Sequence, residues 1–186
     1  MEPVAKVGVT VTFLRMERRP SDPGPPLPPG MGVARLDACT VGFYRYLYNT
    51  VGADYVWWLR RTMPDRELAD LLADPGVSIH VLYKGGEPAG FFELDARPWS
   101  SVNLSYFGLM PHAVGTGAGY AFLRAAVDAA WAHDPRAVTV NTCTADHPRA
   151  LPTYLRAGFR PMREVREIWN VPLRLGMKIP PRLITQ

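Results

Sequence analysis

Three glycines, Gly115, Gly117 and Gly119, stand within five residues immediately before an apolar, alanine-rich run. Glycine disfavours a helix by about 1 kcal/mol relative to alanine, so its repetition at a helix start needs a reason. The N-terminus of a helix carries unpaired backbone N–H groups and a partial positive charge, and glycine leaves that backbone free of Cβ atoms. The spacing indicates a cradle for the oxygens of a pyrophosphate. A plain tight turn with close helix–strand packing is the alternative.

A dinucleotide site of the Rossmann type is a second use of such glycines. It requires a GxGxxG loop after the first strand of a parallel unit and an acidic residue about 20 residues later. Here the spacing is GxGxG, Tyr120 follows the last glycine, and the strands before the loop form an antiparallel pattern. These features disfavour a Rossmann site.

The elements that must position this loop follow from periodicity and from turn residues. Val7, Val9, Val11 and Phe13 alternate along one face of a strand, and Gly85-Gly86 is a hairpin signal. The predicted strands are 7–13, 77–83, 88–95, 103–110 and 136–143, followed by an extended segment at 158–172. The predicted helices are 40–49, 54–74 with a break near Met63-Pro64, about 117–133, and a short helix that ends near Arg156. This order predicts an α/β (α+β) fold with a mixed, mostly antiparallel sheet covered by helices.

Composition narrows the class of protein. The 186 residues suit a single domain over 1–186, with 20–32 as a Pro/Gly-rich surface loop and 172–186 as a C-terminal tail. The net charge is +4 and the arginines are scattered, so we predict no nucleic-acid partner. The two cysteines form no CxxC pattern, which argues against a disulfide scaffold and a metal site. No signal peptide or membrane span is visible, so a cytoplasmic protein is expected.

The run LMPHAVGTGAG resembles the signature loop of the GNAT superfamily of acyl-CoA N-acyltransferases, V-x-P-x-x-[RQ]-G-x-G-x-[GA]. Leu109, Pro111 and the three glycines are in register, whereas Val114 stands where arginine or glutamine is usual. Downstream, HPRALPTYLRAGFRP resembles the segment N-x-x-A-x-x-x-Y-x-x-x-G-F of the same family. Its matching residues are Ala150, Tyr154, Gly158 and Phe159, with His147 in place of the usual Asn.

The resemblance implies a GNAT-like sheet flanked by helices on both faces and acetyl-CoA (coenzyme A) as the acyl donor. It also implies that the strand end and the loop hold the cofactor, largely through backbone N–H groups. The cofactor-binding residues predicted in this way are Leu109, Val114, Gly115, Thr116, Gly117, Ala118, Gly119 and His147.

Two residues are predicted to be catalytic. In the family, the tyrosine that matches Tyr154 lies near the cofactor sulfur, where a phenol can protonate a departing thiolate. Glu93, on the predicted strand 88–95, is a candidate general base, with a solvated strand face as the alternative, and Tyr106 on the next strand is a further polar residue of interest. Asp146 and His147 are expected mainly to cap the following helix.

Three other side chains bear on the site. Cys143 could attack a thioester, but no nearby histidine or cation would lower its pKa, so a pocket-lining cysteine is favoured. Trp57 and Trp58 are expected in the core, although one of them could line the acceptor groove.

The sequence thus predicts an N-acetyltransferase that moves an acyl group from coenzyme A to a primary amine by direct attack in a ternary complex. A non-catalytic acyl-CoA-binding regulatory domain of the same fold is the alternative. The small-molecule or peptide amine acceptor is not specified. A homodimer is left open, because the tail could pack on a neighbouring chain or on its own domain.

Overall fold

The computed structural model describes residues 2–98 and 100–185. Met1 and Gln186, the ends of the predicted domain, lie outside the described residues. The strands are β1 (Val4–Met16), β2 (Met31–Arg35), β3 (Val77–Lys84), β4 (Glu87–Asp95), β5 (Ser101–Leu109), β6 (Ala137–Cys143) and β7 (Arg160–Pro172). The helices are α1 (Val41–Val51), α2 (Leu59–Thr62), α3 (Asp65–Ala73), α4 (Ala118–Trp131) and α5 (Ala150–Arg156).

All seven strands form one sheet in the order β2-β3-β4-β5-β6-β1-β7. Every neighbouring pair is antiparallel except β5 and β6, which run parallel. The predicted hairpin between β3 and β4 is confirmed. Gly85 and Gly86 both have positive φ, at +58° and +86°, as a two-residue turn that matches the strand twist requires.

Helices cover both faces of the sheet, which confirms the predicted fold class. On one face, α1 and α3 bury Tyr44, Leu47 and Leu68 against β3 and β4. On the other face, α4 buries Phe122 and Leu123 against the same sheet. Because side chains alternate along a strand, β4 directs Phe91 and Glu93 toward α1 and their neighbours toward α4.

Two parts of the secondary-structure prediction are corrected. The loop predicted at 20–32 ends earlier, because Met31 and Gly32 already belong to β2, an edge strand that the prediction lacks. The helical stretch predicted at 54–74 is also less regular, since only α2 and α3 are α-helical within it. The expected break near Met63-Pro64 is confirmed, with α3 beginning at Asp65.

The proline-rich loop packs on α4. Asp22 accepts hydrogen bonds from Arg124 at its side-chain oxygen, 2.9 Å from Nη1, and at its backbone oxygen, 2.8 Å from Nη2. Gly24 passes so close that a Cβ there would stand 2.8 Å from Cβ of Arg124. The loop therefore covers a buried arginine on the outer side of α4.

The C-terminal tail packs on β1 of its own chain. Ile184 forms a β-bridge with Val7, and the backbone N–H of Thr185 donates to the carbonyl of Lys6 at 3.0 Å. Leu183 is buried in a cluster that includes residues of β1. Of the two placements left open by the sequence, the structure has the tail on its own domain. No helix in the described parts of the chain is long and apolar enough to cross a membrane.

Candidate active site

The two parallel strands at the centre of the sheet separate toward one end. β5 and β6 pair only from Ser101 to Leu104 on one strand and from Ala137 to Val140 on the other. Beyond these residues β5 continues to Leu109 and β6 to Cys143 without pairing to each other. The register of β5 against β4 also shifts here, because Ser105 is an extra residue on β5. Such a bulge increases local twist, so the separated strands enclose a wedge-shaped opening, called the splay below.

The glycine-rich loop lies at the mouth of the splay. It follows β5 through one helical turn, Pro111–Ala113, and leads directly into α4. Gly115 and Gly117 both have φ of +85°, a conformation that L side chains rarely adopt. A Cβ at either position would have no neighbour within 4 Å. These two glycines are therefore required by the backbone conformation and not by close helix–strand packing, and the space in front of them is open.

Several backbone donors of the loop are free. Thr116 donates its N–H to the carbonyl of Ala113 at 3.4 Å, and its hydroxyl donates to the same oxygen at 2.8 Å. Within the described residues, no acceptor faces the N–H groups of Gly115, Gly117, Ala118 and Gly119. Val114 is 44% exposed and supplies no polar group. The loop thus offers main-chain donors, next to the positive end of α4, to an anion at the mouth of the splay.

Tyr154 lies inside the fold on the α4 side of the splay. Its ring packs edge-on against Phe159 of the adjoining turn and against Phe107, at centroid distances of 5.8 and 6.4 Å. Phe107 belongs to the part of β5 that has separated from β6. Burial, and to a smaller extent the charge of Asp146, raises the pKa of Tyr154 far above its usual range. The phenol is therefore held in its protonated form, next to the stretch of β5 that pairs with β4 but not with β6.

Glu93 is the centre of a buried polar cluster on the α1 side. Its carboxylate is 1% exposed, which rules out the solvated strand face considered from the sequence. One oxygen accepts from the hydroxyl of Tyr44, and the other accepts from Nη2 of Arg60 at 2.7 Å. Burial opposes the charge of Arg60, but Glu93, Tyr44 and Tyr106 outweigh it and raise the pKa of the guanidinium. Glu93 is thus a paired carboxylate.

Aromatic rings connect this cluster to the splay. Tyr106, level with Glu93 on β5, packs on Tyr48 and Trp57 at centroid distances of 4.9 and 5.0 Å. The indole N–H of Trp57 donates to Oδ1 of Asp146 at 3.4 Å, which joins the α1–α2 segment to the loop after β6. Trp57 therefore spans the splay on this face and forms one of its walls.

The residues after β6 close the opposite edge of the splay. Asp146 does not cap α5 as expected, because Oδ2 accepts from the hydroxyl of Thr142 and from the backbone N–H of Cys143, both at 2.8 Å. His147 accepts at Nδ1 from the N–H of Arg149 at 3.1 Å and stands edge-on to the ring of Tyr55. Both side chains fix the turn between β6 and α5.

Cys143 is a free thiol that packs against the buried cluster on β1. It is half-buried, and desolvation together with the charge of Asp146 raises its pKa to about 12. A thiol that is so seldom ionised is a poor nucleophile near neutral pH.

The structure separates the predicted site residues into two groups around one opening. The loop residues, Leu109 and Tyr154 lie on the α4 side, and Glu93 with Tyr106 lies on the α1 side. Sequence reasoning missed Tyr44, Tyr48 and Arg60. Tyr44 and Tyr48 are four residues apart, a spacing that places both side chains on one face of a helix. This spacing is a local signal for the two tyrosines, and it does not indicate Arg60.

These features define the class as α/β proteins built on a splayed strand pair with a glycine loop at its mouth. A model of the acetyltransferase (GNAT) family matches residues 34–159. The chain belongs to this family. A comparison with curated protein sequences gave no significant match.

Solved structures share the fold at low sequence identity. A GCN5-related N-acetyltransferase from Kribbella flavida has a TM-score of 0.59 and 15% identity, over 89% of this chain and 60% of that one. A tandem GNAT protein from the clavulanic acid biosynthesis pathway has a TM-score of 0.64 and 14% identity, over 92% of this chain and 55% of that one. An aminoglycoside acetyltransferase from an uncultured soil metagenomic sample has a TM-score of 0.56 and 15% identity, over 69% of this chain and 87% of that one.

The chain spans less than two thirds of the length of the first two of these structures, 60% and 55%. The similarity therefore covers only part of those longer proteins.

Proposed function

We propose that this protein is an acetyl-CoA-dependent N-acetyltransferase that transfers the acetyl group to a primary amine by direct attack in a ternary complex. The observation that carries the proposal is the splay between β5 and β6, which opens at a loop of free backbone N–H groups. Family membership supports the reaction class. The donor and the amine are our proposal.

The residues at the mouth of the splay fit a coenzyme A pyrophosphate. Gly115 and Gly117 face open space, and in the described residues the N–H groups from Gly115 to Gly119 have no protein acceptor, apart from that of Thr116. The proposal assigns cofactor binding to the main chain of Val114 to Gly119 and to the end of β5 at Leu109. His147, at the opposite edge, is the further predicted contact.

When bound, acetyl-CoA supplies a thioester whose carbonyl carbon the amine attacks. The edge of β5 beyond Leu104 has no strand partner on the β6 side, so its backbone N–H groups are available to a carbonyl oxygen. Tyr154, with its phenol kept protonated by burial, is the proposed donor of a hydrogen bond or a proton to the sulfur that departs, and the proton that the attacking nitrogen loses completes the thiol or restores the phenol. Holding both reactants in the splay supplies a large part of the rate.

Glu93 remains the predicted general base, and its two partners define how it can act. Both carboxylate oxygens of Glu93 already accept hydrogen bonds, from Tyr44 and from Arg60, and the side chain is 1% exposed, so an incoming amine has no open access to it. We therefore propose that Glu93 contributes mainly by fixing Arg60 and Tyr44, and that the amine reaches the thioester already neutral.

The same pairing is the observation that favours the second candidate, a non-catalytic acyl-CoA-binding regulatory domain. Such a domain would keep the loop and the splay and would not need a free base. The presence of Tyr154 beside the splay favours catalysis.

Calorimetric titration with coenzyme A, NAD and ATP tests the cofactor assignment, and release of free thiol from acetyl-CoA over a panel of amines tests turnover. We expect binding of coenzyme A alone and thiol release with at least one amine. Absence of coenzyme A binding would contradict both candidates. Binding with no thiol release over the whole panel would support the regulatory domain.

A further inference from the structure

Arg60 holds its guanidinium at the surface of the buried cluster. Two of its donors are used, Nη2 to Glu93 at 2.7 Å and Nε to the hydroxyl of Tyr44 at 3.3 Å. Within the described residues Nη1 has no acceptor, and it is not buried, because the side chain keeps 16% of its exposure. Nη1 of Arg60 therefore keeps both of its N–H groups free.

The guanidinium is fixed in place from three directions. Glu93 offsets the cost of desolvating the charge, Tyr44 holds Nε, and the backbone N–H of Arg60 donates to the hydroxyl of Tyr48 at 3.3 Å. A planar cation held in this way is preorganised, so little conformational entropy is lost when a ligand binds its free edge.

Arg60 borders the splay. Its Cζ lies 5.3 Å from the ring centroid of Tyr106, which stands on β5 beyond the last residue paired to β6. Trp57, three residues earlier in the chain, contacts the same ring and reaches Asp146 on the far edge. The free edge of Arg60 thus belongs to the α1 face of the splay, opposite the face that carries the glycine loop and Tyr154.

Three neighbouring charged groups, Arg45, Arg61 and Asp146, are already engaged. Arg45 binds Asp65 and two backbone carbonyls, and Arg61 binds the carbonyls of Trp57 and Asn49. Both oxygens of Asp146 accept hydrogen bonds from the protein. Compared with these neighbours, Arg60 is the group that keeps free donors, whereas the carboxylates of Glu93 and Asp146 are occupied.

We infer that Arg60 binds a carboxylate of the acceptor, so that the substrate class is an amine that also carries a carboxylate, as an amino acid does. Nη1 would donate to the carboxylate oxygens while the amine faces the splay. Glu93 and Tyr44 are positioning residues, because they act through the guanidinium. The inference rests on the proposed function for the identity of the site, since it names the acceptor of that reaction.

The test compares amino acids with their α-amides in the thiol-release reaction, in the wild type and in the Arg60→Lys variant. Lysine keeps the charge that pairs with Glu93 but lacks the second nitrogen of the fork. A charge-assisted hydrogen bond accounts for about a 10- to 100-fold preference. We expect the wild type to favour the acid by this factor in kcat/KM, and Arg60→Lys to lose most of it. The acid and the amide also differ in the pKa of their amines. The informative quantity is therefore the acid-to-amide ratio of kcat/KM in the wild type compared with the same ratio in Arg60→Lys.

Arg66→Lys is the matched control, because Arg66 is an exposed residue of α3. It should keep the preference for the acid. Melting temperatures of all three proteins show whether Arg60→Lys still folds. If it does not, the double variant Arg60→Gln/Glu93→Gln, which leaves no unpaired charge, replaces it.

A binding measurement separates this inference from the proposed function. N-acetyl amino acids and their amides are titrated into the coenzyme A complex of the same proteins. Preference for the acid that Arg60→Lys abolishes supports the inference even if no amine is turned over. The inference is overturned if acid and amide bind equally, if neither binds, or if the preference for the acid survives in Arg60→Lys. Thiol release with other amines would still leave the proposed function intact.

Discussion

Arg60 donates to Glu93 over 2.7 Å, and this ion pair joins the short helix α2 to the centre of the sheet. The carboxylate is buried, and the guanidinium keeps a narrow exposed edge beside the splay. The pair therefore anchors the segment that forms the α1-side wall, and the structure of that wall depends on it.

Removal of Glu93 should destabilise the protein. Breaking a buried ion pair by deleting one partner costs about 3–5 kcal/mol, because the other charge is left unpaired. Glu93→Ala should fall near the lower end, since Arg60 keeps partial access to water. Urea unfolding measures the change. Glu87→Ala, at an exposed position of the same strand, should stay within about 0.5 kcal/mol of the wild type. Equal effects of the two substitutions would show that the pair does not stabilise the fold.

Gly117→Glu should abolish coenzyme A binding, because its side chain would carry a negative charge into the proposed phosphate cradle. Gly86→Glu is a matched control. Gly86 also has a positive φ, of +86°, and a Cβ at this position would also have no neighbour within 4 Å. Both substitutions carry the same backbone strain, of about 1–2 kcal/mol. Calorimetric titration should find normal affinity in Gly86→Glu and none in Gly117→Glu. Unchanged affinity in Gly117→Glu would remove the cradle assignment.

Tyr154→Phe should lower turnover more than coenzyme A binding. Loss of a single proton donor reduces catalysis by about 10²–10⁴-fold. Because burial raises the pKa of Tyr154, its phenol should stay protonated at pH values where an ordinary tyrosine, with a pKa of about 10, begins to ionise. The pH profile of kcat should therefore show no decrease from ionisation of Tyr154 up to a pH of about 10. Full turnover in Tyr154→Phe would exclude Tyr154 from the mechanism.

His80 should make the fold sensitive to mild acid. Its ring stacks on Phe92 at 4.4 Å, and burial, helped by the charges of Arg35 and His133, lowers its pKa from 6.5 to about 4. Between these two pH values the unfolded chain binds a proton that the folded protein excludes, so stability falls as the pH decreases through this range. The loss should be of the order of 1–3 kcal/mol.

Urea midpoints measured from pH 7 to pH 4 test this dependence. His80→Gln should lower stability at neutral pH but should flatten the slope between pH 6.5 and pH 4. A slope that is the same in both proteins would assign the acid sensitivity to other groups.

The local features of the site were predictable from the sequence. The positive φ of Gly115 and Gly117 is a property of the backbone at those positions, and glycine is the residue that adopts it at least cost. The Gly85-Gly86 turn and the start of α3 after Pro64 have equally local causes. Each of these signals is complete within a few residues, and so the sequence determined the loop and the order of the elements around it.

The environment of Glu93 was decided by the tertiary structure. Its partners Tyr44 and Arg60 lie 49 and 33 residues away in the chain. No spacing in the sequence relates them, because packing of α1 and α2 on the sheet brings them together.

The position of β1 has the same kind of cause. Alternation predicted a strand there, but its place between β6 and β7 depends on pairing with residues more than 100 positions later. The sequence by itself determined the loop, its glycine conformations and the family resemblance, since these depend on contiguous residues. The paired carboxylate, the exposed edge of Arg60 and the splay arise from long-range packing, which no local pattern encodes.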